Sequence, residues 1–401
     1  MYRKIRIILF CAVFMINNAY AYDENSINAK FNKAGIATPQ LHISSDNWII
    51  YDNVSHQIID GEKVNDRIAM GDFTRLMLIY MIFSKIQSNE LSLNYKINLP
   101  KKEIGNILKQ TNKSNAILDL YKPLILKDVL LASIINNNKD ASLILSYLLD
   151  ENNNNLIYKM NQAANRLNLN DTNFDNILGT KHPSHYTSVQ NLLTLTSRII
   201  SDFSDLSSLL GQKSFLYDSI NYENKNYILD IDKDVIFALS GTIENKPCLI
   251  VNKKRKEKNI THENRQIITI ITKSSNIELQ NQESLKMLNY GFGEFDTVKI
   301  YEANHIISKA KIWLGNKNIV NIGVLSPAYI SLPKGLSTRL TTILDKPKYI
   351  YAPIKKGEIV GYIKWINDKK EIYKIPAVAL ENVGEAGFLS QWIDKIRLIF
   401  D

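Results

Sequence analysis

The twelve residues Asp72-Phe-Thr-Arg-Leu-Met-Leu-Ile-Tyr-Met-Ile-Phe83 combine a short polar start with eight consecutive apolar residues. The apolar run is long for a strand and contains good helix formers, so it predicts a helix that begins at Asp72. Asp72 is a favoured N-cap residue, and the lack of a polar face predicts that the helix is buried. The fold is therefore expected to form around this helix.

Strand patterns occur on both sides of this helix in the sequence. Trp48-Ile-Ile-Tyr51 and Gln57-Ile-Ile-Asp60 flank a turn and predict a hairpin. Helical patterns follow at 125–135, 141–149, 156–167 and 189–200, and strand patterns return at 234–239, 248–251 and 267–272. This order predicts an α+β fold, with helices packed on an antiparallel sheet to which both ends of the domain contribute.

The last part of the chain has a different character. Short apolar segments separated by Gly, Pro, Asn and Asp predict a small all-β domain over 291–384. Segment 385–401 predicts an amphipathic helix of the kind that lies on a membrane surface. An alternative is that its apolar face packs on the β domain. That face comprises Phe388, Leu389, Trp392, Ile393, Ile396 and Phe400.

Residues 1–21 have a basic start, an apolar run of ten residues and the sequence Ala19-Tyr20-Ala21, the pattern of a cleaved signal peptide. The alternative is an uncleaved anchor, but ten apolar residues are short for a bilayer core of about 30 Å. The chain from residue 22 is therefore expected to be exported. Cys248 is the only cysteine beyond this segment, so no disulfide within the exported chain is expected.

The formal net charge of the chain is +9. A basic exported chain is more typical of a protein that meets anionic lipid or cell-wall polymer than of one that binds nucleic acid. The six histidines lack metal-ligand spacing, and the sequence contains no phosphate-binding glycine-rich motif and no cysteine motif. We therefore predict no metal and no cofactor.

Several short motifs, taken in order, carry a family resemblance. They are Asp72-Phe-Thr-Arg75, Asn137-Asn-Lys139, Thr172-x-Phe174-x-Asn176-x-x-Gly179, Leu239-Ser-Gly-Thr242, Ile312-Trp-Leu-Gly315 and Ala352-Pro-Ile-Lys-Lys-Gly357. The chain resembles the low-molecular-mass penicillin-binding proteins, which are serine-type D-alanyl-D-alanine carboxypeptidases. The resemblance implies a β-lactamase/transpeptidase-like domain over 22–290, a β-sandwich domain over 291–384 and a membrane-association helix over 385–401.

The resemblance also implies a mechanism, and the residues here depart from it. In the family a Ser attacks the D-Ala-D-Ala carbonyl, a Lys one turn later activates it, a second Lys on a strand attracts the terminal carboxylate, and backbone amides form an oxyanion hole. Here Asp72 stands at the nucleophile position and Arg75, which stays protonated, at the base position. Asn137 replaces the serine of the second motif, and Leu239 replaces the strand lysine. No catalytic residue is expected to be intact.

Asp72 and Arg75 are three residues apart on one helical face, so we expect an ion pair that closes the former nucleophile pocket. The alternative is that Arg75 and Lys139 bind a carboxylate or another anion, with Asp72 orienting Arg75. The candidate binding residues are Arg75, Asn137, Lys139, Leu239, Ser240, Gly241 and Thr242.

The leading hypothesis is a catalytically inactive periplasmic homologue, peripheral on the inner membrane, that binds peptidoglycan stem peptide or a cell-wall protein partner. One alternative is an active D-Ala-D-Ala carboxypeptidase that trims peptidoglycan pentapeptides, which requires a Ser with a Lys within hydrogen-bond reach in the groove. The other is a structural envelope protein, which a groove filled by the protein's own side chains favours.

Overall fold

The computed structural model describes residues 26–111, 117–256, 264–336, 340–367 and 369–399. The predicted signal peptide lies outside the described residues. The helices are α1 (Ile27–Lys33), α2 (Thr74–Gln87), α3 (Lys101–Thr111), α4 (Leu126–Asn136), α5 (Lys139–Leu149), α6 (Asn153–Arg166), α7 (Val189–Asp202), α8 (Ile228–Ile231), α9 (Ile277–Glu294) and α10 (Phe388–Ile399), with 3-10 turns at Gly71–Phe73 and Leu206–Gly211. In this part of the chain no helix is long and apolar enough to cross a membrane.

The strands are mostly short, and those before Ser214 alternate with helices, whereas most of the longer strands follow Val235. They are β1 (Trp48–Asp52), β2 (Gln57–Glu62), β3 (Ile68–Ala69), β4 (Lys96–Ile97), β5 (Leu124–Ile125), β6 (Tyr186–Thr187), β7 (Ser214–Tyr217), β8 (Ile220–Glu223), β9 (Val235–Ile243), β10 (Lys246–Lys256), β11 (Asn264–Ile271), β12 (Phe295–Tyr301), β13 (Ile306–Trp313), β14 (Ile319–Gly323), β15 (Ala328–Pro333), β16 (Thr341–Asp345), β17 (Ile350–Tyr351), β18 (Ile359–Asn367) and β19 (Lys370–Ala379).

The central sheet has the antiparallel strand order β2-β1-β11-β10-β9. Strand β1, from the start of the domain, pairs with β11, from its end, with Tyr51 opposite Ile268. Strand β9 is an edge strand of this sheet, and it pairs with β10 so that Leu239 lies opposite Ile250. The predicted α+β fold, with both ends of the domain contributing to one sheet, is confirmed.

Helix α2 lies in the core of this domain because its first turns carry almost only apolar side chains, and Leu76 and Ile79 are completely buried. It packs against α5 and α7. The predicted helices correspond to α2, α4–α7 and α10, with ends that differ by a few residues. Helices α1, α3, α8 and α9 were not predicted. In α9 the buried face includes Gln280, Asn281 and Glu283, so it lacks the apolar periodicity that indicates a helix.

The described chain divides into two compact units. The larger runs from Gly35 to Glu302 and includes β15, because β15 pairs with β12 in a two-stranded ribbon. The smaller contains α1, β13, β14, β16–β19 and α10, and its sheet has the order β16-β18-β19-β14-β13-β17. The units divide after Glu302, whereas the sequence suggested a boundary after residue 290, which falls within α9.

Candidate functional site

The turn that precedes α2 is held where three backbone segments meet. Gly71 has a φ of +56°, and a Cβ there would lie 2.2 Å from the carbonyl oxygen of Thr242. Gly179 approaches from the other side, where a Cβ would lie 1.9 Å from the carbonyl oxygen of Gly71. Only glycine fits at both positions, and their close approach places Asp72 directly beside β9.

Asp72 does not cap α2, contrary to the sequence prediction. It lies in the 3-10 turn, and Phe73, the residue before α2, makes no side-chain capping bond. The Asp72 carboxylate instead turns to β9, where its Oδ2 accepts hydrogen bonds from the backbone N–H and the hydroxyl of Thr242, both at 2.8 Å. These bonds hold the carboxylate on the edge strand rather than on the helix.

Arg75 makes hydrogen bonds to three parts of the site. Its Nη1 donates to the carbonyl of Asp72 at 3.0 Å and to Oδ1 of Asn137 at 2.6 Å, and its Nη2 donates to the carbonyl of Ser240 at 2.6 Å. The predicted ion pair with the Asp72 carboxylate is therefore wrong. The reason is geometric, because Thr242 draws the carboxylate to the strand while the guanidinium spans from α2 to Asn137 and Ser240.

The side chain of Arg75 is only 2% exposed. Burial lowers the pKa of Arg75 from its ordinary value to about 10, and the nearby charge of Asp72 opposes that shift. At neutral pH the guanidinium therefore stays protonated, so Arg75 is a fixed hydrogen-bond donor and not a base.

Asn137 and Lys139 lie at the junction of α4 and α5 but behave differently. Asn137 has left-handed backbone angles of φ 51° and ψ 39°, which end α4 and turn its side chain to Arg75. The side chain of Asn138 caps α5 by accepting from the backbone N–H of Ala141 at 2.8 Å. Lys139 is exposed on the first turn of α5 and makes no hydrogen bond or ion pair with the described residues of the site. Of the two cations predicted to bind an anion, Arg75 is buried and bonded to Asn137 and Ser240, whereas Lys139 is exposed.

In the motif on β9, backbone groups of Ser240 and Thr242 are bound by the chain itself, and the side chain at position 239 is buried. Leu239 was among the predicted binding residues, yet its side chain is 1% exposed and belongs to the hydrophobic core, so it offers a ligand only its backbone. A Cβ at Gly241 would lie 3.1 Å from Cβ of Asp72, which shows how closely the turn packs on the strand. The hydrogen-bonding groups of Ser240 and Thr242 next to this contact are those that Arg75 and Asp72 already bind.

His185 and Thr74 support the turn before α2, and the sequence analysis assigned a role to neither of them. His185 is 1% exposed, and its Nε2 lies 2.8 Å from the Thr74 hydroxyl, which also donates to the carbonyl of Gly71 at 2.9 Å. Because Nδ1 of His185 accepts from the backbone N–H of Asp175, the Nε2 atom carries the proton. Burial lowers the pKa of His185 to about 4. His185 therefore donates to Thr74 and cannot act as its base.

The side chains described at this site act as fixed hydrogen-bond donors and acceptors. In the described part of this site no serine hydroxyl hydrogen-bonds to a lysine amine. Thr74, the hydroxyl nearest to the helix start, is 1% exposed and already bonded to His185. Nothing among these side chains forms an activated nucleophile.

A second candidate surface lies on α10 in the smaller unit. Five of the predicted membrane residues are half or more exposed: Phe388 (76%), Leu389 (78%), Trp392 (55%), Ile393 (52%) and Ile396 (50%). Phe400, the sixth, lies outside the described residues. The opposite face is held by Asp394, whose carboxylate accepts from the backbone N–H of Leu314 at 2.9 Å. The alternative that the apolar face packs on the β domain is therefore wrong for these five side chains.

Comparison with known families matches both parts of the chain. Residues 33–262 match the model of the D-alanyl-D-alanine carboxypeptidase family, and residues 295–385 match the model of the penicillin-binding protein 5 C-terminal domain. The fold and the position of the site thus define a low-molecular-mass penicillin-binding protein. Since the first match covers more than half of the chain, this protein belongs to the D-alanyl-D-alanine carboxypeptidase family.

The similar proteins carry consistent names. The chain is 24% identical to the D-alanyl-D-alanine carboxypeptidase DacA of Haemophilus influenzae, over 98% of this chain and 96% of that protein. The structure of penicillin binding protein 5 from Haemophilus influenzae has a TM-score of 0.77 at 22% identity and covers 87% of this chain and 100% of that one. A peptidoglycan synthesis regulatory factor from Streptococcus pneumoniae has a TM-score of 0.65 at 14% identity and covers 86% and 100%. These structural likenesses establish the fold.

Proposed function

We propose that this protein is a catalytically inactive member of its family that acts at peptidoglycan without hydrolysing it. One observation carries the proposal, namely that Asp72 and Arg75 bind the edge of β9 at Thr242 and Ser240. In the family that this chain resembles, a backbone amide on this strand is part of the oxyanion hole. Here that position belongs to a carboxylate of the chain itself, which repels a developing oxyanion instead of stabilising it.

The chemistry of the replaced side chains supports the same conclusion. A carboxylate at the nucleophile position has no hydroxyl, and an acyl-aspartate is an anhydride that offers little advantage for amide hydrolysis. A buried guanidinium with a pKa of about 10 does not accept a proton at neutral pH. Nucleophile and base act as a unit in serine hydrolases, so the loss of both removes most of the rate acceleration. An active carboxypeptidase would need a different nucleophile.

The bonds that Asp72 and Arg75 make to β9 disfavour the binding of a stem peptide on this strand and favour a structural role. A stem peptide that pairs with β9 needs the backbone groups of Ser240 and Thr242, and both groups already have partners. A structural envelope protein, which contacts the wall or a cell-wall protein through other surfaces, is therefore the second candidate function. The names of the relatives, which include a peptidoglycan synthesis regulatory factor, support peptidoglycan as the polymer concerned.

The location that we propose is the periplasm, with attachment to the inner membrane through α10. The signal-peptide pattern of residues 1–21 supports export, and the exposed Phe388, Leu389 and Trp392 support burial in a membrane interface. Vesicle flotation tests the attachment. The Leu389→Glu/Trp392→Glu variant should leave the lipid fraction, and equal flotation of variant and native protein would contradict the proposal.

Labelling with a fluorescent penicillin tests the absence of catalysis. We would compare the native chain from residue 22 with the Asp72→Ser/Arg75→Lys variant and with the triple variant that adds Leu239→Lys. The double variant is needed because a lysine at the buried position 239 carries a charge into the core and risks misfolding. Circular dichroism and thermal unfolding check each variant.

The expected result is no labelling of the native protein and labelling of at least one folded variant. Labelling of the native protein would show an active nucleophile and refute the proposal. If no folded variant is labelled, the groove has diverged beyond these positions, and the structural role gains over any role that uses the groove.

A further inference from the structure

Helix α1 is the first described element of the chain, yet it belongs to the smaller unit, whose other elements all follow Glu302. It packs on β19, where the Lys370 amine donates to the carbonyl of Lys33 at 2.9 Å. This bond places a positive charge at the C-terminal end of the helix, where the helix dipole favours a cation. A segment from the start of the chain thus completes a unit that is otherwise built from its end.

The side of α1 that carries Ile27, Phe31 and Ala34 is buried. These residues follow one another at helical spacing and are 3%, 0% and 8% exposed, whereas Ala29 and Lys33 on the other side are exposed. A helix of seven residues is too short to persist alone in water, where about 12–15 residues are needed. The helix therefore forms because it is docked, and its folding and its docking are one event.

The segment that follows α1 is held separately, by α9 in the larger unit. Segment 39–44 runs antiparallel to α9, and three side chains of the helix bind its backbone. They are Tyr290, which donates to the carbonyl of Pro39 at 2.9 Å, Lys286, which donates to that of His42 at 2.7 Å, and Glu283, which accepts from the N–H of Ser44 at 2.6 Å. Only residues 35–38 lie between this anchor and α1, and Gly35 has a φ of +83°, which favours glycine. Undocking of α1 therefore leaves the anchor on the larger unit in place.

We propose that residues 26–34, which we call the N-terminal strap, dock reversibly on β19 and control the stability of the smaller unit. In the docked state the helix is formed and its apolar side is covered. In the released state the helix unfolds because it is too short, and the surface under it meets water. A short element with few buried contacts opens locally at a lower free energy than the fold around it. The inference uses neither Asp72 nor Arg75 and does not depend on the proposed absence of catalysis.

Thermal unfolding of the chain from residue 22 tests the stabilising role of the strap. The test variant is Ile27→Ser/Phe31→Ser, which removes two buried apolar side chains. Its matched control is Ala29→Ser/Lys33→Ser, which changes two exposed side chains of the same helix. We expect the smaller unit of the test variant to unfold at least about 6 °C below that of the native protein, and that of the control within about 2 °C.

Tryptophan fluorescence separates the smaller unit from the larger one. Trp48 is in the larger unit, and the other three tryptophans of the chain are in the smaller: Trp313, Trp365 and Trp392. All proteins in this experiment therefore carry Trp48→Phe, so that the fluorescence transition reports the smaller unit. Circular dichroism reports the helices, most of which belong to the larger unit, and this transition should be the same in the test variant and the control.

Hydrogen exchange tests whether the strap opens by itself. In native protein the backbone amide of Phe31 should be protected, yet exchange at least about ten-fold faster than the amide of Ile375 within β19. Lys370→Met removes the bond to the Lys33 carbonyl without removing a buried apolar side chain, so it should speed exchange at Phe31 about ten-fold and leave Ile375 unchanged. Lys346→Met, which changes another exposed lysine of the same unit, is its control.

Three results would overturn the inference. A test variant whose smaller unit unfolds like that of the control would show that the strap does not stabilise this unit. A Phe31 amide without protection would show that α1 is not docked, and a Phe31 amide that exchanges together with that of Ile375 would show that α1 is not releasable. If the double variant does not fold, the exchange comparison with Lys370→Met decides. None of these readouts uses penicillin, peptidoglycan or lipid, so a failure here is distinguishable from a failure of the proposed function.

Discussion

The Arg75→Met substitution tests how much the buried guanidinium stabilises the site. Methionine keeps a long apolar side chain but removes the donors to Asp72, Asn137 and Ser240. Hydrogen bonds from a charged donor contribute about 1.5–3 kcal/mol each, so three of them contribute about 4–9 kcal/mol before other terms. Their loss leaves buried oxygen atoms without a donor.

The cost of burying the Arg75 charge opposes the loss of these hydrogen bonds. Burial lowers the pKa of Arg75 from 12.5 to about 10, which corresponds to a penalty of about 3 kcal/mol on the charged form. The methionine variant does not carry that penalty, so the net reduction in unfolding free energy is smaller, about 1–6 kcal/mol. We expect a value of about 3 kcal/mol.

Urea unfolding of the chain from residue 22, followed by circular dichroism of the helices, measures this change. The matched control is Arg67→Met, because Arg67 forms an exposed ion pair with Asp171 at 3.3 Å. Exposed pairs contribute about 0–1 kcal/mol, so the control should unfold almost like native protein. If Arg75→Met costs no more than Arg67→Met, the guanidinium does not hold the site together and the reasoning is refuted.

Two further predictions concern buried polar groups of the larger unit. The side chains of Asp52 and Arg265 are completely buried and pair at 2.9 Å. Asp52→Asn leaves the guanidinium without its counter-charge, so it should lower the free energy of urea unfolding by about 3–5 kcal/mol. A decrease below about 1 kcal/mol would contradict this. Burial lowers the pKa of His185 from 6.5 to about 4, so the unfolded chain takes up a proton below about pH 6.5 while the folded chain does not. The unfolding free energy should therefore fall by up to about 3 kcal/mol as the pH drops from 6.5 to 4. His185→Gln should lack this part of the pH dependence, and identical pH profiles would argue against it.

The sequence predicts the elements whose burial is apolar and periodic. Helix α2 and strands β1 and β11 have long runs of such residues, and their type and order were predicted correctly. Helix α9 was missed because Gln280, Asn281 and Glu283 face inward and break the apolar pattern. Sequence periodicity reports apolar burial, so a helix with a polar buried face gives no signal.

At the candidate site, the contacts that the sequence did not predict are those between residues far apart in the chain. The sequence places Asp72 three residues from Arg75, and local helix geometry suggested that the two side chains pair. The actual partner of Asp72 is Thr242, which is 170 residues away, and β9 reaches it only through the tertiary fold. His185 belongs to no recognised motif, so nothing in the sequence indicated its bond to Thr74.

Asp72 and Arg75 depend on one another through their bonds to β9, which affects how the proposed loss of catalysis could be reversed. Asp72→Ser alone frees the amide of Thr242 but leaves Arg75 bonded to the carbonyl of Ser240. Arg75→Lys alone removes a planar donor that reaches Asn137 and Ser240 together, and a lysine amine cannot span both with the same geometry. Each single reversion therefore breaks some of these hydrogen bonds without completing a nucleophile and base. The two positions have to change together, and this coupling separates a site rebuilt around new contacts from an active site that has lost one residue.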